Sequence, residues 1–259
     1  MDRAGVERLA ALLLERQPAV ALTGAGISTE SGIPDFRSPG GLWAKFDPLE
    51  YGSIDAFRDD PEKVWRFYAP RFAVLTEAQP NEGHHALAEL ERRGLLRAVV
   101  TQNIDLLHAR AGSAEVVEVH GSIATSSCPR CGLRHTLGQV LPMVADGVPR
   151  CTACAAVLKP DVVFFGEPLP PAAMARTSAL AREARLLLVV GSSLEVYPVA
   201  GLPFATLAAG GTLAIVNRGP TPADDDAEVR IDGAAGSVLA AVLDEVERRS
   251  ARPLRHGSA

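Results

Sequence analysis

Outside residues 128–154 the chain has no cysteine; all four of its cysteines fall in that window. A disulfide-stapled extracellular scaffold would spread them along its length, so that class is set aside. No apolar run approaches the roughly 20 residues that cross a bilayer, and residues 9–14 stop at Glu15-Arg16 with no secretory leader evident. Positive charge is not in excess either. With 26 basic and 31 acidic side chains the net charge is −5 at pH 7, which argues against whole-surface binding of nucleic acid or anionic membrane. Charged residues are too few (22%) and apolar ones too many (47%) for a disordered chain. What remains is a soluble chain of 259 residues, long enough for one large domain or one with a smaller partner, and the expected location is the cytoplasm.

Short apolar runs recur, each of strand length and each ending in glycine or small polar residues. Residues 19–22 lead into Thr23-Gly24-Ala25-Gly26, and 95–100 into Thr101-Gln102-Asn103-Ile104-Asp105. Residues 116–119 lead into His120-Gly121, 186–190 into Gly191-Ser192-Ser193, and 213–216 into Asn217-Arg218-Gly219. Runs without polar alternation suit strands buried on both faces, as in a parallel sheet. Helix-patterned segments lie between them: 6–16, 82–93 closed by Gly94, the alanine-rich 171–185 and the amphipathic 237–249. This alternation predicts an α/β fold, a doubly wound Rossmann-like parallel sheet with ligands beyond the carboxyl ends of its strands. Two stretches break the pattern: 34–76, rich in proline, glycine and aromatics, and 122–158, which holds the cysteines. Both read as insertions. The expected division is a nucleotide-binding domain of residues 1–33, 77–121 and 159–250, a smaller zinc-binding lobe from 34–76 and 122–158, and a flexible tail at 251–259.

Cys128-Pro129-Arg130-Cys131 and Cys151-Thr152-Ala153-Cys154 are two C-x2-C pairs separated by nineteen residues. That spacing suits structural zinc, since four thiolates close a tetrahedron and leave no open position. Redox pairs, an iron site or unconnected thiols are the alternatives. The stretch Gly24-Ala25-Gly26-Ile27-Ser28-Thr29 follows a strand and can cradle phosphate with backbone N–H groups. Yet Thr29 stands where the dinucleotide fingerprint has glycine or alanine, and residues 38–60 contain no second strand ending in an acidic residue. A hydride-transferring dehydrogenase is therefore disfavoured, and a ligand-free tight turn is the plainer reading of the glycines alone. His120, at a strand end against Gly121, is the best general-base candidate among six histidines, with a structural role as its alternative. Asn103 and Asp105, two apart at another strand end, can hold ribose hydroxyls, an amide or a water; Asn103 as a helix N-cap is the competing reading.

In combination, several motifs resemble those of the sirtuin family of NAD-dependent protein deacylases, across roughly residues 5–245. They are Gly24-Ala25-Gly26-Ile27-Ser28, Ser31-Gly32-Ile33-Pro34-Asp35-Phe36-Arg37, Thr101-Gln102-Asn103-Ile104-Asp105, His120-Gly121, the paired C-x2-C, Phe165-Gly166-Glu167, Gly191-Ser192-Ser193-Leu194 and Val216-Asn217. The resemblance implies that NAD is consumed as a co-substrate, that acylated-lysine proteins or peptides are the partners, and that one zinc is structural. Nicotinamide, O-acyl-ADP-ribose and free lysine would be the products. It implies His120 as the base that activates a ribose hydroxyl, with Asn103 as the second catalytic residue. Gln102, Asn103 and Asp105 would line the ribose and nicotinamide pockets. Gly24, Ala25, Gly26 and Ser28, with Asp35, Phe36, Arg37 and Trp43, would form the cofactor loop. Gly191, Ser192, Ser193, Asn217, Arg218, Gly219 and Ala235 would border the remainder of NAD. Val163, Phe164, Phe165 and Gly166, and Val196 within Glu195-Val196-Tyr197, would add strand edges to the peptide.

Tyr68 and Arg71 lie three apart behind Asp59-Asp60-Pro61-Glu62, a helix opening, and so share a helix face. A guanidinium can grip a carboxylate in bidentate fashion while a phenol adds one hydrogen bond. This Tyr-x-x-Arg resembles the pair by which one sirtuin subgroup selects succinyl- and malonyl-lysine. Pro70 between them is expected to kink or end the helix. Thr29 stands where that subgroup tends to carry alanine, and Ile33-Pro34-Asp35-Phe36 is closer to the general deacetylases. The expectation is a deacetylase that also removes succinyl or malonyl groups. Protein mono-ADP-ribosyl transfer and a non-enzymatic NAD-sensing zinc-ribbon module are the alternatives, the second having no need of a base at His120.

Overall fold

The computed structural model describes residues 2–36, 38 and 40–251. Arg37, expected on the cofactor loop, and residues 252–259, expected in the tail, lie outside the described residues.

The strands are β1 (Ala19–Thr23), β2 (Ala98–Thr101), β3 (Val116–Glu118), β4 (Gly121–Ser127), β5 (Arg134–Thr136), β6 (Lys159–Val162), β7 (Leu186–Val190), β8 (Thr212–Val216) and β9 (Val229–Ile231). The α-helices are α1 (Arg3–Glu15), α2 (Pro48–Tyr51), α3 (Ile54–Asp59), α4 (Pro61–Glu77), α5 (Glu82–Arg92), α6 (Leu107–Arg110), α7 (Leu137–Asp146), α8 (Pro171–Glu183), α9 (Leu202–Ala208) and α10 (Ala235–Ser250).

One sheet has six strands in the order β3-β2-β1-β7-β8-β9, every neighbouring pair parallel. The five apolar runs supply five of these strands; β9, three residues with a charged middle, did not stand out. Side chains in one run divide between two cores. Ala19, Ala21, Leu186, Leu188 and Val190 face α1, α5 and α10, whereas Val20, Leu22, Leu187 and Val189 face α8 and the start of α9. Burial on both faces is why these runs lack polar alternation, and each buried Leu or Val stabilises by roughly 1.5–3 kcal/mol. The chain leaves β1 for β2 on one side and later adds β7 on the other. The β1/β7 boundary is thus the topological switch point, where a doubly wound sheet opens its crevice.

The second sheet is small and antiparallel, in the order β5-β4-β6. It belongs to a third core that joins Phe57, Trp65 and Phe72 from the 34–76 stretch to Ile123, Cys128, Cys151 and Leu158. The Trp65 indole N–H donates to the Leu158 carbonyl at 2.6 Å. The boundary expected at residue 159 needs correction. Lys159–Val162 is an edge strand of the small sheet, and Val162 and Phe164 enter the third core. An edge position tolerates Pro160, and with Lys159 and Asp161 this left no strand pattern to read.

Pro70 also acts otherwise than expected, since α4 continues through it to Glu77. Trp65 and Phe72, on either side of the proline, are both buried in the third core. That packing outweighs the roughly 3 kcal/mol cost of an interior proline. Near the proline, the Phe67 carbonyl accepts a hydrogen bond from the Arg71 guanidinium.

Candidate functional site

The carboxyl ends of β1, β2 and β7 converge at the switch point. Gly24 N–H donates to Val190 O at 3.0 Å and Gly26 N–H to Gly191 O at 2.9 Å, so the two loops touch through backbone. A Cβ on Gly24 would lie 2.7 Å from Gly191 O, and one on Gly26 2.7 Å from Gly191 Cα. Gly191 itself has φ +59°, and its Cβ would meet Ile27 N at 2.3 Å. Contact between loops, beyond a simple tight turn, therefore requires these glycines. Residues Ala25–Ser31 continue as a 3-10 helix that carries Ser28 inward.

Ser28 is the hub of a buried polar network. Its hydroxyl donates to Asp105 Oδ2 at 2.7 Å and accepts from Asn103 Nδ2 at 3.0 Å; the same amide donates to Gly24 O at 3.1 Å. Asp105 Oδ1 accepts from Leu107 N–H at 2.9 Å, and burial raises the Asp105 carboxyl from its ordinary value. Gln102 reaches across the sheet, its amide donating to Ser192 Oγ at 2.9 Å. His120 Nδ1 stands 3.0 Å from the Gln102 carbonyl. A carbonyl only accepts, so Nδ1 carries the proton and Nε2 is the basic nitrogen. Behind His120, Gly121 has φ +69°, and a Cβ there would lie 2.1 Å from Asp161 O. The His-Gly pairing thus lets the chain turn from β3 into the small sheet.

Two histidines that the sequence reading passed over, His84 and His108, lie behind this network with ring centres 4.9 Å apart. Thr23 spends its hydroxyl hydrogen on Thr101 Oγ1 (2.8 Å), so His108 Nε2 donates to Thr23 Oγ1 (2.9 Å). His84 Nδ1 accepts from Asn81 N–H (3.3 Å), and its Nε2 faces Ser28 Oγ at 3.5 Å. Both rings are held neutral. Burial, with a smaller push from His85, lowers His84 to about 4, and burial, with a smaller push from His84, lowers His108 to about 3. An unfolded histidine titrates near 6.5, so below that pH the unfolded chain binds more protons. Stability should therefore fall as pH drops through 6.5, by roughly 3–4 kcal/mol at pH 5 relative to pH 7.5. Asp105, raised by burial, works in the opposite direction and offsets part of this loss. Urea unfolding at the two pH values measures this, and equal midpoints would contradict neutral burial.

The remaining predicted residues fall around this centre. Asp35 accepts Ser38 N–H at 2.8 Å, and the Phe36 carbonyl accepts Trp43 N–H at 3.0 Å, which folds the loop back on itself. Trp43 stacks on Phe36 (5.7 Å) and lies 6.4 Å from Phe67 and 6.2 Å from Phe165, joining that loop to α4 and to the 163–166 segment. At the end of β8, Asn217 Nδ2 donates to the carbonyls of Arg218 (3.0 Å) and Gly219 (3.2 Å). Arg230, which sequence reading missed, donates to the same Gly219 carbonyl at 2.7 Å. Ser193 is half-buried in the loop after β7, and Ala235 is buried at the start of α10.

The segments expected to offer strand edges are irregular. Phe165 uses its N–H on Gly52 O (2.8 Å) and its carbonyl on Ile54 N–H (2.9 Å), and Val163 N–H donates to His120 O (2.8 Å). Phe165 thus pairs along one side with the 52–54 stretch inside the chain. Gly166 follows with φ +87°. Val196 lies in a loop, half-buried, its carbonyl accepting Ala200 N–H at 2.9 Å. Tyr68 stacks on Phe164 at 5.8 Å, and burial pushes its phenol up to about 12. The Arg71 guanidinium lies 3.7 Å over the Phe67 ring and 5.1 Å from that of Phe46. To grip a carboxylate in bidentate fashion it must release the Phe67 carbonyl or use its other edge.

The four cysteine sulfurs lie within 4.8 Å of one another. Cys128–Cys154 are 3.4 Å apart, Cys131–Cys151 3.6 Å and Cys131–Cys154 3.7 Å. Thiolates about 2.3 Å from a tetrahedral zinc stand about 3.8 Å apart, so the donor set fits that ion.

A sequence model of the Sir2 family matches residues 24–198. The chain is 46% identical over 245 residues to the NAD-dependent protein deacetylase of Caldivirga maquilingensis, covering 94% of each. It is also similar, at 42% identity, to two solved structures, covering 93% of this chain and 98% of each of those. One, a Sir2 with a p53 peptide and NAD+, superposes with a TM-score of 0.86; the other, with deacetylated p53 peptide and 3'-O-acetyl ADP ribose, with 0.89. Among the described residues no helix is long and apolar enough to cross a membrane.

Proposed function

The chain belongs to the Sir2 family, and from that premise we propose that it is an NAD-dependent protein-lysine deacylase. NAD is consumed together with one water: nicotinamide leaves, the acyl group passes from lysine to a ribose hydroxyl, and the water releases free lysine and O-acyl-ADP-ribose. The observation that carries the reading is a base with a fixed tautomer beside a built polar network. His120 is held through Nδ1 on the Gln102 carbonyl, and the Asn103–Ser28–Asp105 cluster lies one residue further along the same strand end.

NAD, when bound, supplies the ribose carbon that accepts the acyl oxygen once nicotinamide departs. The chain's own part is to orient and to move protons. His120 Nε2 takes the proton of a ribose hydroxyl, while Asn103 and Asp105 orient the ribose and the amide of nicotinamide. Close packing of Gly24 and Gly26 on Gly191 brings the two loops together, so that they border the phosphates. Ser192, Asn217 and Ala235 hold the adenosine end, with Ser193, Arg218 and Gly219 beside them, and the loop of Asp35, Phe36 and Trp43 covers the site. The acyl-lysine peptide lies between 163–166 and Val196. The two insertions act as one lobe held by the cysteine-bound zinc, and thiolate ligation suits a reducing cytoplasm.

The Tyr68/Arg71 pair extends the acyl range to acidic groups. Matched acetyl- and succinyl-lysine peptides with NAD test both claims. Nicotinamide release should require an acyl-peptide, and label from NAD that stays on the target protein as ADP-ribose would favour ADP-ribosyl transfer instead. Arg71→Met should lower kcat/KM on the succinyl peptide by roughly tenfold or more and change acetyl turnover by no more than about twofold. Unchanged succinyl turnover sinks the acidic-acyl role.

A further inference from the structure

Glu30 lies near the end of the Ala25–Ser31 turn, at the root of the loop that Asp35, Phe36 and Trp43 continue. Its carboxylate crosses to the far end of the chain. Oε2 accepts Gly236 N–H at 2.6 Å and Oε1 the Ser237 hydroxyl at 3.2 Å. α10 needs an acceptor there, because the first N–H groups of a helix have no intrahelical partner and its N-cap, Ala234, has no side chain to offer. A residue 206 positions away supplies it. Gly236 makes the approach feasible, since a Cβ there would lie 2.8 Å from Glu30 Oε2.

A second fastening holds the same root. Asn81 caps α5 by accepting Gly83 N–H at 2.9 Å, while its amide donates to Ile27 O at 2.8 Å and Ser31 Oγ at 2.9 Å. The two helix starts touch, a Cβ on Gly83 lying 3.1 Å from Gly236 Cα. Past both fastenings comes Gly32, with φ +84° and no atom within 4 Å of its Cβ position, the first point with conformational latitude.

We propose that Glu30 is a positioning residue for the NAD reaction: by tying the loop root to the start of α10 it fixes the distance between the loop and the adenosine end of the site at Ala235. This rests on the reading that the loop covers NAD. The test compares Glu30→Ala with the double variant Glu30→Ala/Ala234→Asp. Ala234 has φ −68° and ψ 130°, an extended conformation that suits an Asp N-cap, so the second change gives α10 its own acceptor without refastening the loop.

In Glu30→Ala the melting temperature should fall by about 2–4 °C, and KM for NAD should rise roughly three- to thirtyfold with kcat little changed. The double variant should recover the melting temperature but keep the raised KM. Recovery of both would mean that Glu30 only caps a helix and would overturn the proposal, as would an unchanged KM in the single variant. NAD affinity by calorimetry on all three proteins gives the same comparison without turnover. A wild-type chain that binds NAD but releases no nicotinamide with acyl-peptide thus counts against the deacylase reading and leaves this one decided by binding.

Discussion

His120→Ala is expected to lower kcat for deacylation by about 10²- to 10⁴-fold, the usual worth of a positioned general base. The fold should survive. His120 is half-buried on the turn between β3 and β4, outside all three apolar cores, and its ring bonds a backbone carbonyl. Gly121, not the imidazole, makes the turn possible. The melting temperature should therefore stay within about 1–2 °C of wild type, and NAD should still bind. Single-turnover deacylation with an acetyl-lysine peptide, alongside a thermal melt, separates the outcomes. Turnover within about tenfold of wild type would remove His120 from the base role, and a collapsed melt would assign it to structure.

Loss of the metal should have the largest effect on stability. The third core is small, and Cys128 and Cys151 are buried within it, so part of the lobe's interior is made of the ligands themselves. Structural zinc contributes apparent binding energies of about 10–16 kcal/mol in small domains, more than burial in so small a core supplies. Metal analysis should give one zinc per chain, and Cys128→Ser or chelation should melt the lobe separately from the six-stranded sheet. Activity should be lost with it, because Leu158 anchors Trp65, and Phe164 stacks on Tyr68 in the same core that leads to Phe165. A metal-free chain with a single unchanged melting transition would contradict a structural zinc.

The large sheet was legible because strands buried on both faces must be apolar throughout, and five such runs ended in recognisable loops. The small sheet was not. β4 reads Gly-Ser-Ile-Ala-Thr-Ser-Ser, with Ile123 as its one large apolar side chain, and β6 opens Lys-Pro-Asp. Such strands are specified by pairing and by the neighbouring core more than by local pattern. The site divides in the same way. Ser28, Asn103, Asp105 and His120 sit in contiguous motifs, so they could be read as candidates, and the fold gathers them at neighbouring strand ends. Glu30, Asn81, His84 and His108 act through contacts 50 to more than 200 residues distant, which a single sequence does not display; Arg230 meets Gly219 only eleven residues away, but outside any motif. The Asn81-x-x-His84 spacing carried a cue, since it forms a reciprocal capping box at the start of α5. Pro70 misled because a local rule was applied where packing on both sides of the proline decides.

The chain has two tryptophans, and the fold sets them to different tasks. Trp65 is sealed in the third core at 1% exposure, whereas Trp43 is half-buried at the junction of the cofactor loop, α4 and Phe165. The protein thus carries two native optical probes that one substitution can separate. With Trp43 replaced by phenylalanine, the remaining emission follows the integrity of the lobe. The difference from wild type follows the loop as ligand arrives, with no added label.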